Sequence, residues 1–162
     1  MAKVATYEIA PDPTLMEDIG ATSFSVAEAI AELIANSLDA RPGDDRLAIA
    51  VQVSDGQISV TDNGRGMSAD VLAEAVRLGV KMDQIVGNAA PRKGMFGLGL
   101  KTAAASLGRV WELHTREVPT HGVPPEEHSV VFDLTEWRRR SGDKTFQWAI
   151  EVKSDVVTAT AP

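Results

Sequence analysis

Glu32, Asn36 and Asp39 lie in the stretch SVAEAIAELIANSLDA, and at about 100° per residue all three share one side of a helix. That spacing suits a metal–phosphate site, in which an amide oxygen ligates Mg2+ and a carboxylate orients water. The plain alternative is a solvated acidic face. A second group, Asp62-Asn63-Gly64-Arg65-Gly66-Met67, leaves a strand and enters a turn whose glycines reach backbone angles closed to other residues. Asp62 continues the alternation of Ile58 and Val60, so it is expected to face the core as a carboxylate that needs donors from the fold or from a ligand. Taken alone, the hexapeptide is a turn in which Asp62 accepts bonds from nearby amides.

The third group is Gly94-Met95-Phe96-Gly97-Leu98-Gly99-Leu100-Lys101-Thr102. It misses both common nucleotide loops. A P-loop needs lysine directly after its last glycine, and Leu100 intervenes; a dinucleotide fingerprint needs G-x-G-x-x-G after a strand, and here the order is G-x-x-G-x-G after a loop. The underlying physics still applies, because side-chain-free backbone approaches a phosphate closely and amides at a helix start point at an anion. Lys101 adds a full positive charge. The competing reading is a helix whose glycines only permit tight packing.

Several elements must position these groups. The helix from Phe24 to Asp39 has a possible capping box at Ser25 and Glu28, with Val26, Ile30, Leu33, Ile34 and Ser37 in its core arc. Leu47, Ile49, Val51 and Val53 alternate, Asp55-Gly56 turns the chain, and Ile58 and Val60 resume, which is a β-hairpin with a two-residue turn. Ser68 can cap a helix from Ala69 to Leu78. Residues 79 to 97 carry Gly79, Gly87, Asn88, Pro91 and Gly94 and read as a mobile lid. A helix from Leu98 to Leu107 follows, with Gly108 placed for a left-handed cap. Strand candidates are Val110 to Thr115, Val130 to Leu134 and Phe146 to Val152. The pattern predicts an α+β fold, a mixed and mostly antiparallel sheet with helices on one face.

Composition narrows the function. At 162 residues, 44% hydrophobic and 24% charged, the chain fits one ordinary globular domain and neither a disordered tail nor a bundle of membrane spans. Sixteen Lys and Arg against twenty-three Asp and Glu leave a net charge of −7, so nucleic acid is expected only through another domain, if at all. The absence of cysteine excludes disulfides, thiolate catalysis and thiolate metal sites. His114, His121 and His128 match no zinc signature. The run Arg138-Arg139-Arg140 reads as a solvated charged loop rather than a polyanion contact. Residues 1 to 20 fit neither a secretory signal nor a transit peptide, and the default expectation is a cytoplasmic protein.

In order and spacing the three groups resemble the GHKL superfamily of ATP-binding domains, which includes gyrase B, the ninety-kilodalton heat-shock chaperones, sensor histidine kinases, MutL and the MORC proteins. Glu32 to Ala40 is similar to its first motif, Asp62 to Met67 to its second, and Gly94 to Lys101 to its third. The resemblance implies a two-layer Bergerat sandwich that holds Mg2+ and ATP between its helices and a mobile lid. It implies that Glu32 is the general base, that Asn36 ligates Mg2+, and that Asp39 supports that face. Asp62 would accept from the adenine amino group, Gly64 and Gly66 would let backbone pass close to the adenine, and Met67 would pack on the base. Gly94, Phe96, Gly97, Leu98, Gly99, Leu100 and Lys101 would line the nucleotide, with Gly97, Gly99 and Lys101 on the phosphates.

The Glu32–Asn36 spacing favours the hydrolysing branches of that superfamily, and the Gly-Leu-Lys ending with Asp133 to Trp137 looks most like MORC-type and related bacterial ATPases. The implied function is ATP binding and hydrolysis, with lid closure gating homodimerisation or partner contact. The alternative is a nucleotide-sensing module that does not hydrolyse. Hydrolysing members commonly receive a catalytic lysine from a following transducer domain, which this chain lacks, so weak turnover is expected. Residues 1–152 would form the ATP-binding domain and 153–162 a tail or the start of a linker.

Overall fold

A computed structural model describes residues 11–41, 43, 46–78, 98–118 and 125–157. The expected lid, with Gly94, Phe96 and Gly97 of the third motif, lies outside the described residues, as does His121.

The chain begins with α1 (Leu15–Ser23) and α2 (Val26–Asp39). The α2 capping box forms as the sequence requires: Glu28 N donates to Ser25 Oγ and Ser25 N donates to Glu28 Oε2. The core arc of α2 is rotated from the one expected. Ala29 and Ser37 are its buried residues, whereas Val26 is 57% exposed. Small side chains win the deepest line because α2 packs directly on α4 (Gly99–Leu107), itself alanine-rich. Helix α1 also packs on α4, so closely that a Cβ on Gly20 would lie 2.6 Å from the Ala105 backbone.

The hairpin is β1 (Ile49–Ser54) and β2 (Gln57–Asp62), antiparallel, with Val51 opposite Val60 and Val53 opposite Ile58. Its turn residues, Asp55 and Gly56, both have left-handed φ, 46° and 77°, which is the I′ geometry that matches strand twist. After α3 (Ala69–Val76), capped by Ser68, and α4, the chain forms β3 (Val110–Arg116), β4 (Glu126–Asp133), α5 (Leu134–Arg139) and β5 (Lys153–Val156). The strand order is β3-β4-β5. Gly108 is extended rather than left-handed, since the chain passes almost directly into β3.

Every strand pairing among the described residues is antiparallel, with β1-β2 in one ladder set and β3-β4-β5 in another. The two sets meet where Val118 N donates to Arg65 O at 3.2 Å. Phe146 to Val152, expected as a strand, has the period-two burial of one but forms no ladder. Its alternate side chains serve packing: Phe146 and Trp148 meet Trp137 edge-on, and Ile150 and Val152 join the core. Pairing begins only at Lys153, in the stretch expected to be a tail.

The core beneath β3 and β4 consists of Leu72, Val76, Val130 and Phe132, flanked by Met67, Trp111, Leu113 and Trp137. Glu17 of α1 forms ion pairs with both Arg109 and Arg138, and Arg139 and Arg140 pair with Glu136 and Asp143, so the arginine run is occupied within the fold. No helix among the described residues is long and apolar enough to cross a membrane.

Candidate functional site

Helix α2 and the end of β2 bring the first two motifs together. Ser37 is buried on α2 and its Oγ donates to Asp62 Oδ2 at 2.7 Å, while Gly64 N donates to Asp62 Oδ1 at 2.8 Å. Asp62 therefore faces the helix layer as its alternation requires. It is exposed there rather than buried, because β2 reaches the open edge of the layer at that residue. A carboxylate offers about four acceptor positions, so two donors leave each oxygen with capacity for another partner.

The neighbouring motif residues are structural fasteners. Asn63 imitates a strand residue: its Oδ1 accepts from Ala48 N at 2.7 Å and its Nδ2 donates to Arg46 O at 3.1 Å, which holds the chain entering β1. Arg65 closes the C-terminus of α2, with N on Ala40 O at 2.8 Å and Nη2 on Asp39 O at 3.1 Å. A cation there also complements the negative end of the helix. A Cβ on Gly64 would lie 2.8 Å from Ala40 O, and one on Gly66, at φ +65°, would overlap the Arg116 backbone. The close approach that these glycines permit is thus to protein backbone. Met67 N donates to Thr115 Oγ1 at 2.9 Å, and its side chain packs against the core.

One turn earlier on α2, Asn36 Nδ2 donates to Glu32 O at 2.7 Å. That bond fixes the amide and leaves Oδ1 without a protein partner among the described residues. Glu32 is half-buried, and its carboxylate lies against Gly99, where a Cβ would overlap Oε1. The first turn of α4 thus approaches the acidic face of α2, with Leu98 and Leu100 half-buried beside it. Asp39 is exposed at the end of the same face. Lys101 is not among the groups brought to it. Its Nζ is enclosed and bonded to Ala75 O and Arg77 O.

No cluster of three or more His, Asp or Glu among the described residues is arranged to hold a metal by itself. A Mg2+ site here fits one protein oxygen plus ligand phosphates, the usual arrangement for this cation, and Asn36 Oδ1 is the available atom. A cavity of about 230 Å3 between β4 and Ala149–Lys153, lined by Val130, Trp137 and Ile150, holds none of the motif residues.

The sequence profile of the histidine kinase-, DNA gyrase B- and HSP90-like ATPases matches residues 23–132, more than half of the chain. The chain belongs to this family. The matched stretch runs from α2 to β4, and the α+β architecture agrees with that fold. The chain is also similar to the structural maintenance of chromosomes flexible hinge domain-containing protein GMI1 of Arabidopsis thaliana, 33% identical over 119 residues. That match covers 64% of this chain and 7% of the relative, so the GHKL region here corresponds to a small part of that protein. ATP is the ligand supported by family membership.

Sequence reasoning missed Ser37, Arg65 and Thr115 as parts of this site. A hydroxyl at the centre of an apolar helical arc was the readable signal for Ser37, because a buried hydroxyl needs a partner. Arg65 and Thr115 gave no such signal, since their partners are backbone groups distant in sequence.

Proposed function

We propose that this domain binds Mg2+·ATP on the face shared by α2, the β2 end and the start of α4, and hydrolyses it. The observation that carries this reading is Asp62, an exposed carboxylate held by Ser37 and Gly64 through one donor on each oxygen, which leaves capacity for a ligand donor. An adenine amino group is a matching donor. Asn36 Oδ1 would hold Mg2+, which neutralises phosphate charge when bound. Glu32, beside the α4 start, would take a proton from water as the water oxygen attacks the terminal phosphorus and the bond to ADP breaks. Helix α4 would offer its first-turn amides to the phosphates.

Nucleotide binding would bring residues 79–97 over the ligand and so control contact with a second copy or a partner, in a cytoplasmic setting. Binding without hydrolysis is the second reading, favoured by the exposure of the Asn36 face. A melting curve tests binding: ATP with Mg2+ at a hundred times its Kd should add ~2.7 kcal/mol. GTP should add much less, since guanine presents an acceptor where adenine presents its amino donor. No shift with ATP overturns the reading.

A further inference from the structure

Lys101 is the largest wholly enclosed side chain among the described residues, 1% exposed. A lysine is almost never buried without partners, because its ammonium loses hydration there. The partners here are carbonyls: Nζ donates to Ala75 O at 2.7 Å and to Arg77 O at 3.0 Å. These oxygens belong to the last turn and the C-cap of α3, where helix carbonyls lack intrahelical donors and the dipole is negative. Lys101 is also the third residue of α4. At ~100° per residue it projects roughly 160° away from Gly99, the residue that faces the Glu32 carboxylate.

We propose that Lys101 is a positioning residue that pins the first turn of α4 to the C-terminal end of α3, and that it is not a phosphate ligand. This departs from the phosphate contact implied by motif resemblance. The ammonium acts on the site through the helix, since the turn it anchors is the one that sets Gly99 against the Glu32 carboxylate. Thr102 Oγ1, bonded to Leu98 O at 2.9 Å, tightens the same turn from within. Burial without a carboxylate partner among the described residues holds the Lys101 pKa at about 8, well under the ordinary 10.5.

The inference rests on the proposed nucleotide site only in the arms that use ligand. In the nucleotide-free 162-residue chain, with lysine labelled for NMR, Lys101 should titrate near pH 8. Titration of Lys101 at the ordinary 10.5 would overturn the proposal. Saturating Mg2+·ATP should leave that resonance in place, and a rise of its pKa by a unit or more would also overturn it. In Lys101→Met, amide exchange at residues 75–78 and in the first turn of α4 should speed up about tenfold or more, the scale set by the buried Ala75 carbonyl left unpaired. Exchange equal to wild type counts against the proposal.

The same variant should bind ATP several-fold more weakly and adenosine as well as wild type. Equal loss of both would mean general loosening and refute a role directed at α4. If Mg2+·ATP perturbs nothing in the wild-type chain, the nucleotide reading fails, and the ligand-free titration still decides the role of Lys101.

Discussion

Ser37 and Asp62 form a pair in which a buried hydroxyl orients a carboxylate at the edge of solvent. The two substitutions should therefore differ in size. If Asp62 binds adenine as proposed, Asp62→Ala should cost a charge-assisted bond of ~1.5–3 kcal/mol, about ten- to a hundredfold in ATP affinity by calorimetry. Ser37→Ala leaves the carboxylate and removes only its orienting donor, about 0.5–1.5 kcal/mol, so affinity should fall roughly two- to tenfold. Glu32 acts on water and not on adenine in this reading. Glu32→Ala should keep ATP affinity within about twofold and abolish phosphate release under conditions where wild type turns over. Equal loss of binding in Glu32→Ala and Asp62→Ala would contradict the division of roles.

At the scale of elements, the meeting of α2 with the α4 start sets the second prediction. Gly99→Ala places a methyl group where the Glu32 carboxylate lies. The carboxylate is the free end of a flexible side chain and can turn aside, and alanine favours a helix over glycine by about 0.5–1 kcal/mol. The melting temperature should therefore hold or rise, while phosphate release falls by about 100-fold because the base has moved by an ångström or so. A destabilised variant with unchanged turnover would show that Glu32 does not depend on this contact. The elements that sequence revealed were those whose signals are local. The Ser25–Glu28 box, the Asp55-Gly56 turn and the Ser68 cap each announce themselves within four residues.

The elements that escaped depend on distant partners. Helix α1 reads as unpatterned because its stabilising contacts are Gly20 against Ala105 and Glu17 with Arg109 and Arg138. Helix α5 is a six-residue turn capped by Asp133 after a strand, too short for a period to show. The polar start of β4, Glu126 to Ser129, concealed a strand whose buried His128 bonds Ser154 of β5. In the site the three motifs were legible as residues, whereas the inward turn of Lys101 was not, since nothing in Gly99-Leu100-Lys101 names the α3 carbonyls as its destination.

Across the whole molecule, Lys101 also sets a pH dependence. Its pKa is lowered from 10.5 to about 8 in the folded chain, so between those values the unfolded chain binds more protons than the native one. Stability tied to this group therefore rises with pH through that window, and below it the buried charge is a constant cost. Wild type should gain stability relative to Lys101→Met as pH goes from about 8 to 10.5, measured as the difference between two urea midpoints; a falling difference would reverse the assignment. The two sets of strands meet at a narrower place. Gly66 lies with its Cα against the Arg116 and Glu117 main chain, at a left-handed φ, beside the one bond from Val118 to Arg65. A library randomised at codon 66 and selected for folding should return glycine alone.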